Sequence, residues 1–188
     1  MADLKPVLVV LPQGFADWET PMISAAGSDF YGLRVSHATP GGGRVTSIGG
    51  LTVDLPDFAP EGDEVIVLCG SDIWARPEAP QIEATLQDAA SRGQTIAAIC
   101  GGTLALARAG LVDARAHTSN SADFIERAQG YKGAAHYRDV PHAVADGGVI
   151  TAPGTAPISF AAEVLTAAGV SAEDVDQFRT MLGAEHRA

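Results

Sequence analysis

Apolar positions in this chain fall in short unbroken runs separated by stretches with helical spacing, and the alternation repeats from end to end. Lys5–Leu11 contains Val7-Leu-Val-Val-Leu11, Asp63–Cys69 contains Val65-Ile-Val-Leu-Cys69, and Thr95–Ile99 reads Thr-Ile-Ala-Ala-Ile. Continuous runs of this kind mark parallel strands covered on both faces, where an alternating run would mark a strand with one wet face. Leu33–Ala38 is a further strand. Gly41-Gly-Gly43 then leads into Arg44–Ile48 and Leu51–Leu55, split by Gly49-Gly50 and read as a hairpin.

Between the strands the spacing turns helical. Asp17 is placed to cap a helix that carries Glu19 and Pro21 in its first turn and closes at Gly27. Ala79–Arg92 shows Ile82, Leu86 and Ala89 on one stripe and stops at Gly93, and Thr103–Ala109 and Ser121–Ala128 also read as helices. Ala114–Thr118 is a short extended run. Tyr137–Val140, Ala143-Val144 and Val149–Ala152 are extended segments around an Asp146-Gly-Gly turn. Thr155 is placed to cap a helix from Pro157 to Gly169, and Ser171 with Asp174 opens a last helix to Glu185. The sum is one α/β domain over residues 1–188 with a mostly parallel sheet, in which ligands bind beyond the carboxyl ends of the strands.

Composition narrows the class. A length of 188 residues buries a core without staples, and the net charge of −11 argues against nucleic acid or an anionic membrane as partner. No apolar run approaches a secretion signal or a membrane span, so a cytoplasmic location is expected. Cys69 and Cys100 form no Cys-x-x-Cys pair, so both are read as reduced thiols and no metal is expected. The glycine-rich segments lack phosphate-loop spacing, and no cofactor is called for.

The chemistry gathers at three strand ends. Cys100 follows an apolar run and precedes Gly101-Gly102 and a helix, the arrangement of a nucleophile elbow, in which a sharp turn projects the side chain clear of the sheet. The plain alternative is a small buried residue at a strand end. Glu19 offers a carboxyl, and the amides of Gly70, Ser71 and Gly101 offer oxyanion donors. His117 ends the run after Cys100 and is the candidate third catalytic member, ahead of His136 and His142, which read as surface or turn residues. Ser119 and Asn120 read as helix caps. Trp18 and Trp74 flank the turns, as pocket wall or as core.

Phe15-Ala-Asp-Trp-Glu19, the strand ending at Gly70, Ala97-Ala-Ile-Cys-Gly-Gly102 and Ala152-Pro-Gly-Thr-Ala-Pro-Ile-Ser-Phe160 together resemble the ThiJ/PfpI superfamily, which is related to class I glutamine amidotransferases. The resemblance runs from about Lys5 to Leu165. It implies a flavodoxin-like sandwich with helices on both faces, a homodimer or higher homo-oligomer, and Glu19 facing a reactive Cys100. A neutral Glu19 would donate to Cys100 and favour its thiolate. Two positions depart from the pattern. Cys69-Gly70-Ser71 stands where many members have Pro-Gly-Gly, and Gly101 stands where the peptidase branch has histidine.

Three functions follow as expectations. The first is a cysteine-dependent enzyme without a cofactor, acting on a small electrophile: a dicarbonyl, as in glyoxalase or deglycase chemistry, or an amide or nitrile-like carbon. The second is a redox sensor or stress-response chaperone in which Cys100 is oxidised and Cys69 decides between disulfide and sulfinate. The third is an amidotransferase-like domain without glutaminase activity, since no His-x-Glu follows on a late strand.

Overall fold

A computed structural model describes residues 4–184. Its centre is a six-stranded sheet in the order β2-β1-β5-β6-β8-β7, formed by β1 (Val7–Val10), β2 (Val35–Ala38), β5 (Val65–Leu68), β6 (Ile96–Ile99), β7 (Val144–Asp146) and β8 (Val149–Ala152). All neighbours are parallel except the edge pair β7 and β8. Every residue of β1, β5, β6 and β8 is buried, as continuous apolar runs require. The hairpin β3 (Gly43–Thr46) and β4 (Thr52–Leu55) stands apart as a two-stranded sheet.

Two apolar layers sandwich the sheet. One face carries α5 (Pro157–Ala167), α6 (Ala172–Leu182) and a helix that begins π-wound at Met22–Ala26 and continues as α1 (Gly27–Tyr31), with Ile23, Phe160 and Phe178 fully buried among them. The other carries α2 (Glu83–Ser91), α3 (Thr103–Arg108) and α4 (Ala122–Ile125) around Trp74, Leu86 and Leu106. This is the mostly parallel α/β architecture that the β-α alternation predicts, and the flavodoxin-like sandwich that the family resemblance implies.

Several local expectations are corrected. Asp17 caps no helix: its carboxylate accepts from Gly49 N at 2.7 Å and ties the hairpin turn to the strand-1 loop. The helix starts later because Glu19 is drawn into the interior, and it runs past Gly27 to Gly32, whose φ of 67° closes it in the left-handed region. Ala114–Thr118 and Tyr137–Val140 form no strands; a single bridge between His117 and Tyr137 is what remains of them. Ala156, not Thr155, precedes α5, with Pro157 at its first turn. The Ser171 cap is as expected, its Oγ accepting from Asp174 N. The expected helix end at Glu185 lies outside the described residues.

Candidate active site

The sulfur of Cys100 owes its position to one backbone angle. Cys100 has φ 55°, the one positive value on a non-glycine residue among the described residues. An L-residue in that region costs about 1–2 kcal/mol, so the turn is held by its surroundings. Gly101 and Gly102 provide the hold. A Cβ on Gly102 would sit 2.7 Å from Leu68 O, and one on Gly101 would run into Ser71 O, so only glycine lets this turn lie flush on the end of β5. Thr103 Oγ1 donates to Cys100 O at 2.7 Å and fixes the entry into α3. The elbow read from the sequence is present, and Cys100 is half-buried at its apex.

Glu19 meets it from the strand-1 loop. Its side chain is fully buried, Oε2 accepts from Gly70 N at 2.6 Å and from the Cys69 thiol at 3.5 Å, and Oε1 has no partner among the described residues. Gly70 is squeezed between the two groups: a Cβ there would lie 2.5 Å from Glu19 Oε2 and 2.7 Å from Cys100 Cβ. Burial pushes the Glu19 carboxyl up to about 7, against the lowering effect of the Gly70 amide and the two thiols. Burial and then the facing carboxylate push the Cys100 thiol up to about 11, only partly offset by Asn120 and the Gly101 amide.

Burial thus favours the protonated form of both groups. A carboxyl raised toward neutrality agrees with the expected neutral Glu19, while the direction at Cys100 runs against the expected thiolate. Desolvation of the sulfur outweighs the pull of a helix start that is only a short 3₁₀ turn at Cys100–Gly102.

A third strand end closes the site. Gly154, after β8, donates its amide to Asn120 Oδ1 at 2.9 Å, which leaves Asn120 Nδ2 to donate to Cys100 Sγ at 3.2 Å. Trp18 Nε1 donates to Gly154 O at 3.1 Å. A Cβ on Gly154 would stand 2.9 Å from Cys100 Sγ, so this glycine is a wall of the site. Trp18, 55% exposed, sits on the rim, while Trp74 is core and donates Nε1 to Cys69 O at 2.9 Å.

The structure brings Cys100, Glu19, Ser71 and Gly101 together and revises two assignments. The Gly70 amide is committed to Glu19, so Ser71 and Gly101 remain as the candidate oxyanion donors. His117 is not brought to the sulfur: it is fully buried, Nδ1 bonds Arg115 O and Nε2 bonds the Tyr131 hydroxyl, both at 2.7 Å, between Tyr131 and Tyr137. Burial lowers its pKa, as expected for a neutral structural histidine.

Asn120, three residues on, is the member of the His-Thr-Ser-Asn tetrad that reaches the thiol. It is not a cap; Ser121 caps α4 and Ser119 bonds Thr103 Oγ1 at 2.7 Å. Gly154 was also missed as a site residue, although its place beyond a parallel strand was the available signal. Among the described residues no cluster of His, Cys, Asp and Glu is arranged for a metal.

Comparison with known proteins agrees with this fold. Residues 5–167 match the model of the DJ-1/PfpI family. A Bacillus subtilis (strain 168) protein named "Uncharacterized protease YoaZ" is 39% identical over 136 residues, 69% of this chain but 64% of that protein, so the chain spans less than two thirds of that relative's length. "Uncharacterized protease YdeA" from the same organism is 29% identical over 84% of this chain and 80% of its own. The crystal structure of the DJ-1 superfamily protein Atu0886 from Agrobacterium tumefaciens superposes with a TM-score of 0.92 at 36% identity, covering 98% of this chain and 100% of that one. The thiJ/pfpI family protein from Bacillus anthracis gives 0.83 at 30% identity, covering 94% and 90%.

Proposed function

The chain belongs to the DJ-1/PfpI family, and we propose that it is a cysteine-dependent enzyme acting on a small electrophilic substrate, with a dicarbonyl as the preferred class. The observation that carries the reading is the pairing of a strained, half-buried Cys100 with a buried Glu19 whose Oε1 has no other partner. A thiol with a raised pKa needs a base during attack, and a carboxyl that ionises near 7 is matched to that task.

The sulfur adds to the aldehyde carbon as its proton passes to Glu19, and the resulting alkoxide is held by the Ser71 and Gly101 amides. Glu19 passes that proton to the alkoxide, and the freed carboxylate, in a 2-oxoaldehyde, takes the aldehyde hydrogen as a proton and returns it at the neighbouring carbon. This converts the hemithioacetal to a thioester, which water hydrolyses to a 2-hydroxy acid and the free thiol. Oxidation at one carbon balances reduction at the next, so no external redox partner is required. Asn120 cannot relay a proton and serves to aim the sulfur.

The test is turnover of methylglyoxal against pH. Rate rises through an inflection near 7 in the wild type. Cys100→Ala abolishes turnover, and Glu19→Gln removes the inflection with a loss of about 10²-fold or more. Retained turnover in Cys100→Ala would overturn the reading. The relatives' protease names suggest amide substrates; with no histidine at the sulfur, Glu19 would have to protonate the leaving amine.

A second reading, redox sensing, draws on one specific contact: the Cys69 thiol shares Glu19 Oε2 with the active centre. Intact mass after graded peroxide separates the outcomes. A gain of two oxygens indicates a sulfinate at Cys100, and a loss of two hydrogens indicates a disulfide with Cys69. The protein also self-associates in this proposal, as a cytoplasmic homodimer. Trp18, Phe30, Ile48, Leu51 and Met181 are large apolar side chains left exposed, and Pro21 joins the two apolar grooves among them. Sedimentation of wild type and Phe30→Asp/Leu51→Asp tests this, with a monomeric wild type as the contrary result.

A further inference from the structure

Away from the cysteine, the turn Asp72–Ala75 after β5, the segment leading to α2, the last turn of α3 and the residues after α4 enclose a cleft of about 610 Å³. None of Glu19, Cys100, Asn120 or Gly154 lines it. Its charge is opposite to that of the chain. Arg76, Arg108 and Arg127 line it against a single acid, Glu83, in a protein with 12 basic and 23 acidic residues.

The three arginines are held ready to different degrees. Arg108 is fixed in the wall: Nε donates to Glu83 Oε1 at 2.6 Å, Nη1 donates to Trp74 O at 2.7 Å, and the guanidinium lies 6.0 Å from the Trp74 ring centre. Its Nη2 is buried with no partner among the described residues. Arg127 stacks 5.6 Å over the Phe124 ring, which orders its fork without neutralising it. Arg76 stands on the exposed rim, where Glu78 at 3.9 Å makes a weak surface pair. Gln81 and Gln129 add neutral donors, and Trp74, Leu104 and Ala128 supply an apolar floor.

We propose that this cleft binds a small organic dianion, a molecule with an apolar body and a phosphate or dicarboxylate head. Planar guanidinium forks match both oxyanion types in paired hydrogen bonds. The volume is that of a small-molecule site, and in a chain of net charge −11 a local excess of arginine is what allows an anion to settle.

Isothermal titration calorimetry of the full chain with inorganic phosphate, glycerol 3-phosphate and succinate tests the site in chloride buffer near neutral pH. At least one probe gives saturable binding that weakens with added salt. Binding of the two phosphates without succinate assigns a phosphate head, and the reverse assigns a dicarboxylate. Arg76→Gln/Arg127→Gln, both on exposed side chains, weakens binding by about tenfold or more, while Arg44→Gln on the distant hairpin leaves it unchanged. Arg108→Gln abolishes it; if that variant does not fold, the double variant decides. No saturable heat with any probe, or full affinity in the double variant, overturns the proposal.

Discussion

The ends of β5 and β6 are built from nearly the same letters and do opposite things. Val-Ile-Val-Leu-Cys69-Gly70 and Ile-Ala-Ala-Ile-Cys100-Gly101 lie on adjacent parallel strands, in register at Leu68 and Ala98, and each puts a cysteine before a glycine at the carboxyl end of its strand. Cys69 stays buried, its thiol donating to Ala16 O and Glu19 at 3.5 Å, and burial raises its pKa well above the ordinary value. Cys100 is turned out by a φ of 55° and meets the same carboxyl from the open side. Which thiol is presented to the open side is thus decided by backbone conformation and by the next stretch of chain: a capped turn after Cys69-Gly70, a second glycine and a helix after Cys100-Gly101.

The comparison breaks most severely at Gly70, which follows Cys69 and is packed against both Glu19 and Cys100. Gly70→Ala drives a methyl group into both Glu19 oxygens and Cys100 Cβ, with a loss of about 3–4 kcal/mol expected in urea unfolding and no alkylation contrast left between the two cysteines. Wild-type stability near Gly70→Ala would mean that the three groups are less tightly pressed together than described.

Glu19→Gln probes the shared carboxyl with a slightly smaller effect. From its ordinary 4.5 to about 7, the folded protein holds a proton that the unfolded chain has released, so stability falls as pH rises through this window. The total is about 3 kcal/mol. Denaturation at pH 5 and pH 8 shows that fall in the wild type and a flat profile in Glu19→Gln. The same variant lowers the pH at which Cys100 alkylates, because the charge that opposes its ionisation is gone.

Replacement by glycine sharpens the contrast at the cysteines themselves. Cys100→Gly relieves the left-handed strain and raises stability by about 1 kcal/mol. Cys69→Gly, in a buried strand end, lowers it by about 2 kcal/mol. Thermal melts with opposite shifts are the expected result; shifts of the same sign would place the strain elsewhere.

The elements that repeat a period were legible from the chain alone. Three of the four fully buried strands, β1, β5 and β6, and the convergence of Glu19 with Cys100 follow from apolar runs and from the rule that places ligands beyond strand ends. The fourth, β8, reads only as an extended segment, and the sandwich follows from the family resemblance. What was not legible rests on single long-range contacts. Asp17 has the chemistry of a helix cap, and only the approach of Gly49 diverts it. His117 and Asn120 lie three residues apart in one tetrad, and tyrosines 14 and 20 positions downstream of the histidine decide which of them faces the sulfur. Gly70 offers an amide suited to an oxyanion until Glu19 takes it.

The indole of Trp18 rests on the carbonyl of Gly154, and the Gly154 amide bonds Asn120, whose side chain donates to the sulfur. Trp74, the other tryptophan of the chain, is buried away from solvent. The protein thereby carries its own optical gauge. Anything added to Cys100 pushes on Gly154 and moves a solvent-facing chromophore, against the steady emission of an interior one. Adduct formation, oxidation and release can be followed in unlabelled protein as a change in the red edge of its fluorescence.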